Sequence, residues 1–175
     1  MLGFRKILLV LFFFLLSIKF VNAKDKVAYI DIDYILSKTS VGKSLLIAFK
    51  KEEELKINEF KLKDEDFNIE EKKIIAKKNL ISRDELDKEM RSLQNKYQKY
   101  KENKFNEIES LKKKRNRNIS NFFNLINPLI EKYMAENSIY MLIDKKNVFI
   151  ASKDYDITDN LIELIDNQIK SMDIK

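Results

Sequence analysis

The chain has 175 residues, 35% of them charged, with neither cysteine nor histidine and a formal net charge of +6. No disulfide can form, and the commonest zinc sites and nucleophile–base pairs are excluded. The charge is dense but nearly balanced, which suits a solvated helical surface and argues against a strongly cationic nucleic-acid binder.

Segment 1–23 reads as a cleaved secretory signal. Arg5 and Lys6 open it, an apolar run from Ile7 to Ile18 is broken only by Ser17, and Val21-Asn22-Ala23 suits a signal peptidase. A membrane-spanning helix needs about 20 apolar residues, and Lys19 interrupts the run. Cleavage after Ala23 leaves 31 Lys and Arg against 28 Asp and Glu, a formal +3, because the signal carries Arg5, Lys6 and Lys19 and no acid. The rest is expected to be one domain, 24–175, with a body from 24–40 and 128–175 and an arm from 41–127.

Val27 to Asp33 alternates, with Ala28, Ile30 and Ile32 on one side, and predicts a short strand. Asp33 is placed to cap a helical turn from Tyr34 to Lys38, and Thr39-Ser40 to cap the next helix. That helix is predicted from Val41 to about Asn79. Two sets of residues in it repeat every seven positions: Val41, Ala48, Leu55, Leu62, Ile69, Ala76, and Leu46, Phe60, Phe67, Ile74, with Glu53 breaking the second. A seven-residue period marks a supercoiling helix. Phe60 and Leu62 lie about 200° apart around the axis, so one stripe can meet a returning arm while the other meets something else.

Ser82-Arg83-Asp84-Glu85 has the form of a capping box, so the chain reverses there. The return arm carries Leu86, Met90, Leu93, Tyr97 and Tyr100, then Phe105, Ile108 and Leu111. It resumes beyond Arg115 with Ile119, Phe122, Ile126, Leu129 and Tyr133. Pro128 either kinks this helix or begins a new one; the unbroken apolar spacing favours the kink. Ile139–Asp144 and Val148–Ser152 are predicted as strands of a hairpin, with Asn147 in the left-handed position of its loop. Asp156 is placed to cap a last helix whose face is Ile157, Leu161, Leu164, Ile165 and Ile169.

The class is α+β, mostly α: a small β-rich body carrying a long helical hairpin. A body of this size buries too little apolar area to hold such a rod alone, so an oligomer is expected.

Little in the chain supports catalysis. Gly42-Lys43-Ser44 resembles the end of a phosphate-binding loop, but Ser37 stands where the required glycine belongs. The pairs Asp31/Asp33 and Asp64/Asp66 have no predicted concave pocket around them. A non-enzyme without cofactor or metal is expected. Lys112, Lys113, Lys114, Arg115 and Arg117 form a basic run, either a solvated helix face or a patch for anionic lipid or acidic client segments. Asn118-Ile119-Ser120 fits a glycosylation triplet at a frequency chance explains.

The opening DKVAYIDIDYIL (Asp25–Leu36), the charged hairpin, and the closing INPLIEKYMAENSIYMLIDKKNVFIASKDYDIT (Ile126–Thr158) together resemble the Skp/OmpH family of periplasmic chaperones. The resemblance implies a homotrimer in the periplasm, with three hairpins around a cavity. There it would hold unfolded outer-membrane β-barrel proteins without ATP. It also implies an association with lipopolysaccharide near Lys113 and Lys114, although the surrounding residues depart from the family's pattern. Candidate cavity-lining residues are Leu55, Leu62 and Ile69, or Phe60, Phe67 and Ile74, and the residues alone leave the choice open. The alternative is a structural coiled-coil spacer of the envelope, with both stripes used in packing.

Overall fold

A computed structural model describes residues 26–174. The expected signal, 1–23, lies outside the described residues.

Strand β1 is Lys26–Ile30, with Ala28 and Ile30 buried. It stops before Asp31, whose side chain accepts from the Tyr34 N–H at 2.9 Å and caps helix α1, Ile32–Lys38. The cap therefore falls on Asp31, not on Asp33, which sits in the first turn at the positive end of the helix dipole. Thr39 breaks the chain between helices. Its fully buried hydroxyl donates to the Ile35 carbonyl at 2.9 Å and accepts from the Gly42 N–H at 3.3 Å. Gly42 belongs to this corner: a Cβ there would stand 2.0 Å from the Leu36 carbonyl oxygen. Its glycine is thus explained by close backbone approach, with no phosphate loop required.

Helix α2, Ser40–Ala76, and helix α3, Arg83–Glu136, form the hairpin. At 1.5 Å per residue they are rods of roughly 55 and 81 Å. The outgoing arm ends at Ala76, earlier than Asn79, because its last carbonyls are satisfied by tight bonds from Lys77 to Ile74 (3.1 Å) and Lys78 to Ile75 (3.0 Å). At the reversal the Ser82 hydroxyl accepts from the Glu85 N–H at 3.2 Å, as the capping box requires. Helix α3 runs through Pro128, which lies on its exposed side. The helix ends at Asn137, and Ser138 takes the left-handed conformation (φ 54) that glycine usually supplies.

Strand β2, Ile139–Asp144, pairs in parallel with β1, Val27 opposite Met141 and Ile30 opposite Asp144. Parallel strands need a crossover, and here the entire hairpin is that crossover. The expected second hairpin strand, Val148–Ser152, is not formed. Lys145–Asn147 closes instead as a 3-10 turn, with the Asp144 carboxylate accepting from the Lys146 N–H at 3.1 Å. Asn147 is not left-handed, since Ser138 is the one described non-glycine residue with positive φ. Phe149 and Ile150 find no apolar surface within the chain and stand fully exposed. The sheet is therefore two-stranded, with a single parallel bridge from Tyr29 to Asp156.

Helix α4, Thr158–Gln168, buries Leu161 and Ile165 completely. Asp156 accepts from the Thr158 N–H at 3.0 Å and from its hydroxyl, while the Asp31 N–H donates to that hydroxyl at 2.9 Å. This network ties the end of β1 to the start of α4. One core joins distant parts of the chain: Ile30, Ile35, Val41, Leu45, Phe49, Phe122, Ile126, Ile130, Leu161, Ile165 and Ile169. None of the described helices is long and apolar enough to cross a membrane.

Candidate functional site

The seven-residue repeat decides how the arms meet. Phe60 and Ile74 are buried, and so are Leu93 and Tyr100 on α3. Phe67 packs its ring 5.2 Å from both Tyr97 and Tyr100. The Tyr100 hydroxyl donates to the Phe60 carbonyl at 3.1 Å. Burial, with the Asp64 carboxylate close by, pushes the titration of that hydroxyl above the usual tyrosine range. Phe60 and Ile74 thus lie buried in the seam of the hairpin, with Phe67 half-buried between them.

Ion pairs flank the seam. Lys56 bridges Glu59 and Glu107, both at 2.8 Å. Lys104 meets Asp64 at 2.8 Å, Lys96 meets Glu70 at 2.8 Å, and Lys77 meets Glu89 at 2.9 Å. Hydrogen bonds to Glu107 and Glu59 hold Lys56 well above the ordinary lysine range. Lys104 holds Asp64 below the usual carboxylate range, and Lys56 does the same for Glu59. Asp64 is therefore committed to pairing the arms, and Asp66 is exposed. Asp31 is a helix cap with Lys145 at 3.5 Å, and Asp33 pairs with Lys146 at 2.6 Å.

The other stripe faces away. Leu55, Leu62 and Ile69 are 62%, 64% and 42% exposed, on the side of α2 opposite Phe60. Tyr97, Phe105 and Ile108, which the apolar spacing of the returning arm had placed together, are exposed, and Ile57, which no repeat included, adds to that apolar surface. The returning arm's spacing marks apolar positions but does not show which of them the outgoing arm covers.

The basic run is divided by its surroundings. Lys114 crosses to Glu52 at 2.7 Å, and Arg115 lies 5.7 Å from the centre of the Phe49 ring. Lys112 approaches Glu109 at 4.0 Å within its own helix. Lys113 and Arg117 are exposed, without an ion pair among the described residues. Asn118 is fully buried, so its triplet presents no accessible acceptor for a glycan. Among the described residues no acidic cluster has the spacing to hold a metal.

No curated protein matches the sequence. In structure the chain is similar to a candidate OmpH-like outer membrane chaperone from Caulobacter crescentus CB15. The TM-score is 0.75 and the identity 21%, over 84% of this chain and 87% of that one. The family model for outer membrane protein (OmpH-like) matches residues 26–165, from the first strand into the last helix. The chain therefore belongs to the OmpH-like family.

Proposed function

We propose that the protein is an ATP-independent holdase of the periplasm, which keeps unfolded outer-membrane β-barrel proteins from aggregating between the arms of a homotrimer. The observation that carries this reading is the second stripe. The hairpin buries Phe60 and Ile74 in its own seam and half-buries Phe67, yet leaves Leu55, Leu62 and Ile69 open along the outgoing arm. A row of exposed apolar side chains on a charged rod marks an interaction surface. Many weak contacts along it hold an unfolded chain without any one being strong. Release needs no hydrolysis, because a client that folds into the membrane withdraws its own apolar surface.

Assembly is supported by the body. Tyr140, Met141, Phe149 and Ile150 are 55% to 102% exposed beside a two-stranded sheet. A free strand edge with apolar neighbours is covered most economically by another copy. Transient anionic-lipid contact is assigned to Lys113 and Arg117, the two cations of the basic run with neither an ion pair nor a ring contact among the described residues.

The test is suppression of light scattering by an unfolded outer-membrane β-barrel protein diluted from denaturant, with the protein at stoichiometric concentration. Suppression without added nucleotide is expected. Unchanged scattering would leave a structural spacer as the better account.

A further inference from the structure

Towards the far end of the hairpin the arms leave a groove of about 630 Å³ between them. Its floor is apolar: Phe67, Met90, Leu93 and the edge of Tyr97. Its rim is acidic. Asp64, Glu71 and Asp87 line it, with Arg91 as the one cation. Asp64 is neutralised by Lys104, but Glu71 and Asp87 are exposed and make no ion pair among the described residues. A second groove between the arms sets Lys63, Lys96, Lys99 and Lys104 against three carboxylates, also over aromatic rings. The two grooves therefore differ in charge balance: three carboxylates against one cation in the first, three against four in the second. Methionine and aromatic side chains adapt to varied apolar partners.

We propose that this groove docks a short extended segment in which apolar side chains alternate with Lys or Arg. An apolar side chain enters over Met90 and Tyr97, and the neighbouring cation meets Glu71 or Asp87. Strands of membrane β-barrels alternate apolar and polar residues, and those whose polar positions are Lys or Arg supply such segments when unfolded. The proposal rests on the holdase reading and gives it a located contact, distinct from the outward stripe.

The experiment uses the full mature protein and fluorescence anisotropy with two labelled peptides, one alternating Leu with Lys and the other Leu with Glu. The Leu–Lys peptide is expected to bind more tightly. The double variant Glu71→Lys/Asp87→Lys weakens it by roughly tenfold, the size expected for two exposed charge reversals, and strengthens binding of the Leu–Glu peptide. The control Glu65→Lys/Glu102→Lys changes net charge equally outside the groove and leaves the preference intact. Equal weakening by both pairs, or none by the first, overturns the groove assignment. If that happens while barrel aggregation is still suppressed, the holdase reading stands without this site. If wild-type protein suppresses no aggregation, the holdase reading fails while the peptide measurement still reports on the groove.

Discussion

Lys56 on the outgoing arm lies 2.8 Å from Glu107 on the returning arm, in a stretch where the hairpin has no buried apolar layer. Phe49 is the last buried residue of α2 on the body side and Phe60 the first on the far side. Between them the crossing contacts are Lys114 to Glu52 and Lys56 to Glu107. Exposed ion pairs are screened by salt, so this middle stretch is held more weakly than its ends. Hydrogen exchange at the backbone of 50–58 is expected to quicken at high ionic strength, while exchange around Leu45 and Phe122 stays slow. Uniform protection along α2 at all salt concentrations speaks against this division.

The pairs that cross between the arms set a pH window for their closure. Asp64, paired across the seam with Lys104, titrates below its unfolded value. Its contribution is thus present above about pH 4 and is lost as the pH falls through the depressed folded value. Lys56 and Lys104 titrate above theirs. Their contribution is complete below about pH 10.4 and is lost as the pH rises through the folded values. Spin labels placed on the two arms are expected to report a constant separation across neutral pH and a broadened one at both extremes.

The two stripes of α2 are expected to respond oppositely to substitution. Phe60→Ala removes a buried ring from the seam and costs about 3–5 kcal/mol of local stability, read as a lower thermal midpoint for the hairpin by circular dichroism. Leu55→Gln/Leu62→Gln/Ile69→Gln alters an exposed face and leaves that midpoint nearly unchanged. The triple variant loses much of its suppression of barrel aggregation. If it suppresses as well as wild type, the outward stripe is not the holding surface.

Gly42→Ala forces a methyl group against the Leu36 carbonyl at the corner between α1 and α2. Overpacking of this kind costs about 1–3 kcal/mol. Chemical denaturation is expected to show a lower midpoint with an unchanged slope. Wild-type stability would mean that the corner relaxes without cost.

Phe149→Lys/Ile150→Lys places charge on the exposed segment after β2. Native mass measurement is expected to shift from the proposed trimer to monomer, with helix content kept. A trimer that survives both lysines places the subunit contact elsewhere on the body.

The seven-residue repeats, the Ser82 capping box, the α3 spacing through Pro128 and the face of α4 were all legible in the chain, because helices are built from contacts a few residues apart. The cap at Thr39 was legible for the same local reason; the apolar run of strand β2 was legible too, but not its parallel partner β1. The choice between Phe60-Phe67-Ile74 and Leu55-Leu62-Ile69 was not. Both stripes carry the same period, and only the position of Tyr97 and Tyr100 on the returning arm selects one as the seam. Nor was the absence of a strand at Val148–Ser152 legible: a β-rich stretch becomes a strand only when an edge is available and its side chains find cover, and neither condition is local. Within the basic run, likewise, the Lys114–Glu52 pair and the approach of Arg115 to Phe49 exist only because α2 lies beside it. The residues thus determined which segments are helical and which faces are apolar. The tertiary structure determined which faces are already used, because burial depends on a partner brought from a distant part of the chain.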